Sequence, residues 1–301
     1  MMNDNLPVVT VSVSAYNSSK YVLETLESIK AQTYPSLILR ISDDCSTDDT
    51  VDVCREWIEK NRDRFVETDI IQPEQNTGPT GNANRGWDAC TTTYYKAIAG
   101  DDILLPNCIE DNMSYMQKHP EAIFVFSKIQ VFGDDVEQNA HIEKQFDYTL
   151  FQLSTEEQLQ RILNGGNFIP ASTAFVNVDK IREMGIRHDE RIPFLEDMPK
   201  WVNVLSKGVK LHFMDVATVK YRVHAGSLST SGMASPRFKR QLELYWFYYK
   251  FPSLYKENPD TAVLHAVDRE MSTYTDFYNL VNSKRYRLLE KIINFFKRLI
   301  P

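Results

Sequence analysis

No stretch of the 301-residue sequence approaches the roughly 20 consecutive apolar residues that a helix needs to cross a bilayer. The N-terminal MMNDNLPVVT also lacks the charged-then-apolar pattern of a secretory signal. Together these absences predict a cytoplasmic chain that does not span a membrane, though it could lie on one. Cysteine is scarce. Cys45, Cys54, Cys90 and Cys108 stand far apart with no C-x-x-C pair, which excludes zinc-ribbon spacing and a dense disulfide framework and fits a reducing compartment. Positive charge is short too: 34 Lys and Arg face 41 Asp and Glu, a formal net charge of -7, so sequence-independent binding to nucleic acid is not expected. The glycines of NTGPTGNANRG fit neither G-x-G-x-x-G nor the G-x-x-x-x-G-K-[ST] phosphate loop, and the segment reads mainly as a turn and a helix start.

What is present is an alternation. PVVTVSVSAYN reads as a buried strand, SSKYVLETLESIKAQTY as a helix capped by Ser18 or Ser19, and LILRIS as a second strand. TDDTVDVCREWIEKNRDRF is a second helix, FVETDIIQ a third strand, NANRGWDACTT a helix and YYKAIAG a strand. This order implies an α/β fold with a mostly parallel sheet covered on both faces. From about residue 121 come a strand in AIFVFSKIQVFG, a polar excursion over 133–147, a helix opened by the capping box Ser154–Glu157, a loop and strand in NGGNFIPASTAFVNV, and a helix in FLEDMPKWVNVLSKG. Extended segments follow at VKLHFMD and ATVKYRVHAGSLS, and everything after Pro236 reads as helical.

In parallel sheets ligands bind beyond the carboxyl ends of the strands. Three polar clusters fall there: Tyr16–Asn17 after the first strand, Asp43–Asp44 after the second, and Gly100–Asp101–Asp102 after YYKAIA. Adjacent carboxylates at the end of an apolar strand repel each other and resist desolvation, and a bound cation relieves both costs. An acid-rich helix start would account for one of them more easily than for two. In ISDDCSTDDT, Asp48 and Asp49 suit helix capping, whereas Asp43 and Asp44 precede the cap, and a carboxylate there can accept the imide N–H of a uracil-type base. Glu196–Asp197 reads equally as a cap on the Trp201 helix, with Pro199 in its first turn, and as the place of a functional carboxylate.

Five segments in order, VTVSVSAYNSSKYVLETLESIKAQTYPSLILRISDDCSTDDT, NTGPTGNANRGWDA, IAGDDILLP, FLEDMPKW and YRVHAGSLS, resemble the inverting family-2 glycosyltransferases of GT-A fold over about residues 7 to 230. The resemblance implies a nucleotide-sugar donor, UDP-linked by family habit, and Mn2+ or Mg2+ as cofactor. It implies donor contacts from Ala15, Tyr16, Asn17, Asp43, Asp44, Asn76, Gly78, Asn84, Gly100 and Asp101, a metal held by Asp102 and His224, and Asp197 as catalytic base. It further implies a nucleotide-sugar half over 1–125, an acceptor and catalytic-base half over 126–235 and a C-terminal helical extension over 236–301. The acceptor implied is a hydroxyl of a glycan or a lipid-linked sugar, in surface polysaccharide synthesis. Three positions depart from the family pattern: Ala99 replaces the first Asp of D-x-D, Cys45 stands where Gly is frequent in DDGS, and Ala83 stands where a basic residue often precedes the Asn.

The C-terminal KRYRLLEKIINFFKRLI gathers Leu288, Leu289, Ile292, Ile293, Phe296, Leu299 and Ile300 on one helical stripe with basic residues opposite. Over 284–300 it reads as a contact with the rest of the domain or a second subunit, or with the inner face of the cytoplasmic membrane. Two rival functions are a sugar-phosphate nucleotidyltransferase, which would carry a basic Gly-rich loop that SAYNSSKY does not supply, and a non-catalytic nucleotide-sugar or glycan-binding protein, against which Asp102 and Asp197 both stand.

Overall fold

The computed structural model describes residues 6–133, 146–165 and 169–224, with 139, 143, 144, 245 and 249 besides. The chain divides at Tyr245/Trp246 into two units. The amphipathic stripe over 284–300 and the extension over 236–301 lie outside the described residues, save for Tyr245 and Tyr249.

In β1 (Val9–Ala15) the valines and the polar residues between them are alike buried, as a central strand covered on both faces requires. Thr10 meets this demand by bonding its hydroxyl to that of Thr92 at 2.8 Å. Next come α1 (Val22–Lys30), which buries Val22, Thr25, Leu26 and Ile29 at helical spacing, β2 (Leu37–Asp43), buried throughout, and α2 (Thr50–Asn61). The chain continues through β3 (Glu67–Ile71), α3 (Gly78–Asp88), β4 (Tyr94–Ala99), the two-residue β5 (Ile103–Leu104), α4 (Cys108–Lys118) and β6 (Phe124–Gly133). After it come α5 (Thr155–Gly165), β7 (Phe175–Asn177), α6 (Val178–Glu183), α7 (Asp197–Ser206) and β8 (Leu211–Val223).

Most expected elements are present, with two local differences. Helix α1 starts at Val22 with Tyr21 at its N-cap and no side-chain cap; Ser18 contributes its carbonyl, which accepts the Tyr21 and Val22 N–H groups at 2.9 Å, rather than its hydroxyl. The two extended segments expected after residue 208 are one strand, β8, whose register against β6 shifts at Ser127/Lys128 and again at Lys128/Ile129. The Ser154–Glu157 capping box is formed: Glu157 N–H donates to Ser154 Oγ at 3.3 Å while the carboxylate accepts Ser154 N–H at 2.9 Å.

The eight strands run β3-β2-β1-β4-β7-β6-β8-β5. β1, β2, β3 and β4 are mutually parallel, as are β6 and β8, while β7 joins the two groups by antiparallel pairing and β5 pairs antiparallel with β8. This arrangement forces a curl. β4 and β5 lie four strand positions apart, about 19 Å at the usual spacing. Yet only residues 100–102 connect them, a reach of about 14 Å when fully extended. The outer edge of the sheet therefore bends back toward its middle, and Gly100–Asp102 closes the curl. Among the described residues no helix is long and apolar enough to cross a membrane.

Candidate functional site

The first part of the site lies at the tips of β1 and β2. Asp44 N–H donates to the Ala15 carbonyl at 2.9 Å, so the two strand ends are tied together. Asn17 adopts φ 49, a conformation Asn tolerates better than most residues. Its backbone N–H donates to Ser46 Oγ at 2.8 Å, and its side-chain oxygen accepts Thr47 N–H at 2.8 Å. Tyr16 stands beside this knot half exposed.

The neighbouring carboxylates Asp43 and Asp44 are both buried and do different work. Asp44 is filled by protein donors: Thr77 N–H and hydroxyl, Gly78 N–H at 2.8 Å and the Arg85 guanidinium at 3.2 Å. It thereby holds the turn that opens α3, together with Asn76, whose amide donates to the Asp44 carbonyl at 3.0 Å. On Asp43, one oxygen accepts Ser46 N–H and Gln72 at 2.9 Å and the other accepts the Ser46 hydroxyl at 2.5 Å. A carboxylate offers about four acceptor positions. Among the described residues Asp43 is therefore left with one acceptor position unfilled.

Asn84 also belongs to α3, and both ends of its amide are occupied by protein. It donates to the His188 carbonyl at 3.1 Å and to Glu190 at 2.7 Å, and accepts His188 N–H at 3.1 Å. Of the expected capping pair, Asp48 is the one that bonds locally, accepting Thr50 N–H at 3.0 Å and Ser19 N–H at 3.1 Å, whereas Asp49 at the N-cap of α2 makes no side-chain cap.

The second part is the closing turn of the curl. Gly100 N–H donates to the Ser14 carbonyl at 2.9 Å, and a Cβ on Gly100 would come within 3.1 Å of Ser18 Oγ, so the turn lies directly against the end of β1. Asp102 is buried, and its Oδ1 accepts Arg222 N–H from β8 at 2.8 Å. Burial, then the charge of Asp101, pushes the Asp102 carboxyl well above its usual range. His224 Nε2 lies 3.0 Å from Asp101 Oδ2. Arg222 holds the assembly: its Nε donates to the Asp101 carbonyl at 2.7 Å, its Nη2 to Glu24 at 2.9 Å, and its guanidinium lies over the rings of Tyr21 and Phe132 at 4.7 and 4.4 Å.

A divalent cation fits this turn in part. Asp102 Oδ2 accepts no hydrogen bond from a described residue, and its burial next to Asp101 is a cost that positive charge would offset. Among the described residues, however, no group of three His, Cys, Asp or Glu side chains is arranged to hold a metal. Oxygen ligands from a bound diphosphate would have to complete such a site.

The third part is the start of α7, where Asp197 is the first helical residue and Glu196 the N-cap. Both are half-buried. Burial, then the Asp197 charge, raises the Glu196 carboxyl to about 7, and burial lowers the Lys200 amine to about 8. The segment before α7 runs along α3. Thr80 N–H and hydroxyl donate to the Pro193 and Ile192 carbonyls at 3.1 and 2.8 Å, and Arg187 forms a two-pronged pair with Asp88 at 2.8 Å.

The family model described as Glycosyl transferase family 2 matches residues 10–185, more than half of the chain and all three of its polar clusters at the strand ends. The chain belongs to that family. It is therefore a glycosyltransferase. It is 28% identical over 227 residues to the Escherichia coli protein named UDP-Glc:alpha-D-GlcNAc-diphosphoundecaprenol beta-1,3-glucosyltransferase WfaP, covering 75% of this chain and 81% of that one. It is 23% identical over 244 residues to the putative teichuronic acid biosynthesis glycosyltransferase TuaG of Bacillus subtilis, covering 81% and 88%. In fold it is similar to the crystal structure of S. aureus TarS 1-349 in complex with UDP-GlcNAc, with TM-score 0.61, 20% identity, and 79% of this chain covered. The match spans 65% of that structure's length.

Within this transferase the sequence singled out neither Arg222 nor His188 nor Lys96. A signal existed for Lys96, a charged residue inside the apolar strand YYKAIA. It is fully buried and donates to the Ser172 and Ala174 carbonyls. His188 lies in RHDER, a polar run that gives no hint of burial, yet the side chain is 8% exposed.

Proposed function

We propose that the chain moves a sugar from a nucleoside-diphosphate sugar, UDP-linked, to a hydroxyl of a lipid-linked glycan acceptor, with inversion, during polysaccharide synthesis. The observation that carries this reading is the meeting, at the strand ends of a family-2 chain, of Asp43 with one acceptor position left and the Asp101–Asp102–His224 turn. A relative named for UDP-glucose and a diphosphoundecaprenol acceptor, and a fold neighbour crystallised with UDP-GlcNAc, support the donor and acceptor classes.

In this reading the half over residues 1–125 binds the donor. The free acceptor position of Asp43 takes the imide N–H of the base, and exposed Tyr16 lies against it. The Asp44 network keeps Asn76 and Gly78 in place rather than touching the nucleotide itself. Asp102, with His224 turned from Asp101, would hold Mn2+ or Mg2+, which when bound supplies charge neutralisation for the departing diphosphate. Asp197, in the half over 126–235, accepts the proton of the attacking hydroxyl, and the helix N-terminus beneath it favours the ionised form. One displacement without a second carboxylate nucleophile inverts the anomeric centre. A lipid-linked acceptor places the work at the inner face of the cytoplasmic membrane.

The test is release of nucleoside diphosphate from a panel of nucleotide sugars with Mn2+. At least one donor is expected to be turned over, and Asp102→Ala and Asp197→Ala each to lower the rate by about 100-fold or more. If no donor releases its diphosphate, or both variants match the parent, the reading fails.

A further inference from the structure

His188 is a buried side chain on an otherwise polar segment, and its surroundings show why. Its Nδ1 lies 3.0 Å from the Glu196 carbonyl oxygen. A carbonyl only accepts, so Nδ1 carries the hydrogen. Burial holds this imidazole well below the ordinary histidine range, which favours the neutral Nδ1–H tautomer. The acceptor is the peptide joining Glu196 to Asp197, so the bond fixes the last peptide before the carboxylate read above as the base.

The ring is anchored to α3. Trp87 packs edge-on to it with centroids 5.9 Å apart, and Asn84 takes both the N–H and the carbonyl of His188. The same helix is held at its other end by Asp44, through Thr77 and Gly78. One rigid element thus connects the strand tips on the donor side with the peptide in front of Asp197.

We propose that His188 is a positioning residue for the catalytic base: it transmits the placement of α3, through Asn84, to the Glu196–Asp197 peptide. The inference rests on the reading of Asp197 as base. It also gives Asn84 a role in setting the base rather than in binding donor. An error of about 1 Å in a base costs on the order of 100-fold in rate, and a group that acts only on chemistry lowers kcat without raising KM.

The experiment measures kcat and donor KM for UDP release from whichever nucleotide sugar the full-length protein turns over with Mn2+, and melting temperature in parallel. An asparagine amide nitrogen occupies nearly the place of Nδ1, whereas that of glutamine falls near Nε2. His188→Asn is therefore expected to keep kcat within about three-fold, and His188→Gln to lose about 10-fold or more with donor KM unchanged. Asn84→Ala, which leaves the ring intact, is expected to lower kcat at unchanged donor KM, and it stands as the deciding variant should His188→Gln fail to melt cooperatively. In an Asp197→Ala background neither change lowers the residual rate further. Equal kcat in His188→Gln and the parent, equal losses in the Asn and Gln variants, or a raised donor KM with normal kcat in Asn84→Ala would each overturn the proposal. Full activity in Asp197→Ala alone overturns instead the assignment of the base.

Discussion

Cys45 sits at φ 64, in the left-handed region that costs an L-residue about 1–2 kcal/mol and glycine almost nothing. The sequence marked this position as a departure from the family's glycine, and the backbone supplies the physical reason for the glycine. Cys45→Gly should therefore stabilise the fold by about 1 kcal/mol after glycine's greater unfolded-state freedom is subtracted. The check is a rise in denaturant midpoint with unchanged m-value. Glu196 offers a second test at this scale. Burial raises its carboxyl in the folded chain to about 7 from an ordinary value of 4.5, so the unfolded chain gives up this proton first as pH rises. Stability linked to Glu196 is thus complete below about pH 4.5, falls as pH rises toward 7, and levels off above it. Glu196→Gln should gain on the parent in melting temperature across that window and hold its advantage at higher pH; an unchanged pH profile would show that the carboxyl is not perturbed. At this scale the sequence could mark the acids but not divide their labour. Asp43 and Asp44 are adjacent and chemically identical, and only the turn folded over Asp44 distinguishes a saturated carboxylate from one with an acceptor position left.

Elements were legible wherever periodicity or capping chemistry is local. The stripe in α1, the box before α5 and the stop at Gly208, with φ 80, are all written within a few residues. What sequence could not show is what each element leans on. Helix α3 looked like a turn followed by a polar helix, and its polar residues proved to be its attachments: Thr80 and Asn84 bond to the segment preceding α7, and Arg85 to Asp44. Its first residue also approaches the segment before α7 closely. Gly78 has φ 79, and a Cβ there would lie 3.0 Å from the Pro193 carbonyl oxygen. Gly78→Ala should cost about 2 kcal/mol of stability, from left-handed strain plus displacement of the 192–194 segment. Urea unfolding measures this, and a loss below about 0.5 kcal/mol would mean that the two segments shift apart freely.

At the scale of the whole molecule the α/β class and the strands β1 to β4 followed from alternation, because β1 to β2 and β2 to β3 are each joined through a single short helical crossover. The far half of the sheet did not. Its order passes from β7 to β6 to β8 to β5, and pairing between segments so distant in sequence leaves no local trace. The same distance hid Arg222 and His224 as partners of the Asp101–Asp102 turn, more than a hundred residues earlier.

That separation sets a schedule for the growing chain. β1 to β4 can pair as soon as they emerge in order during synthesis, but among the described strands β5 pairs with β8 alone, and the acidic turn beside it has its arginine and histidine at that strand's end. Until residue 224 has been made, the two neighbouring carboxylates lack the Arg222 and His224 that contact them, and buried Lys96 is the cation acting on Asp102 that is already in place. The Asp101–Asp102 turn is consequently among the last features of this domain to settle. A ribosome stalled before β8 would carry a chain already able to pair β1 to β4 yet unable to pair β5 or to seat the turn before it.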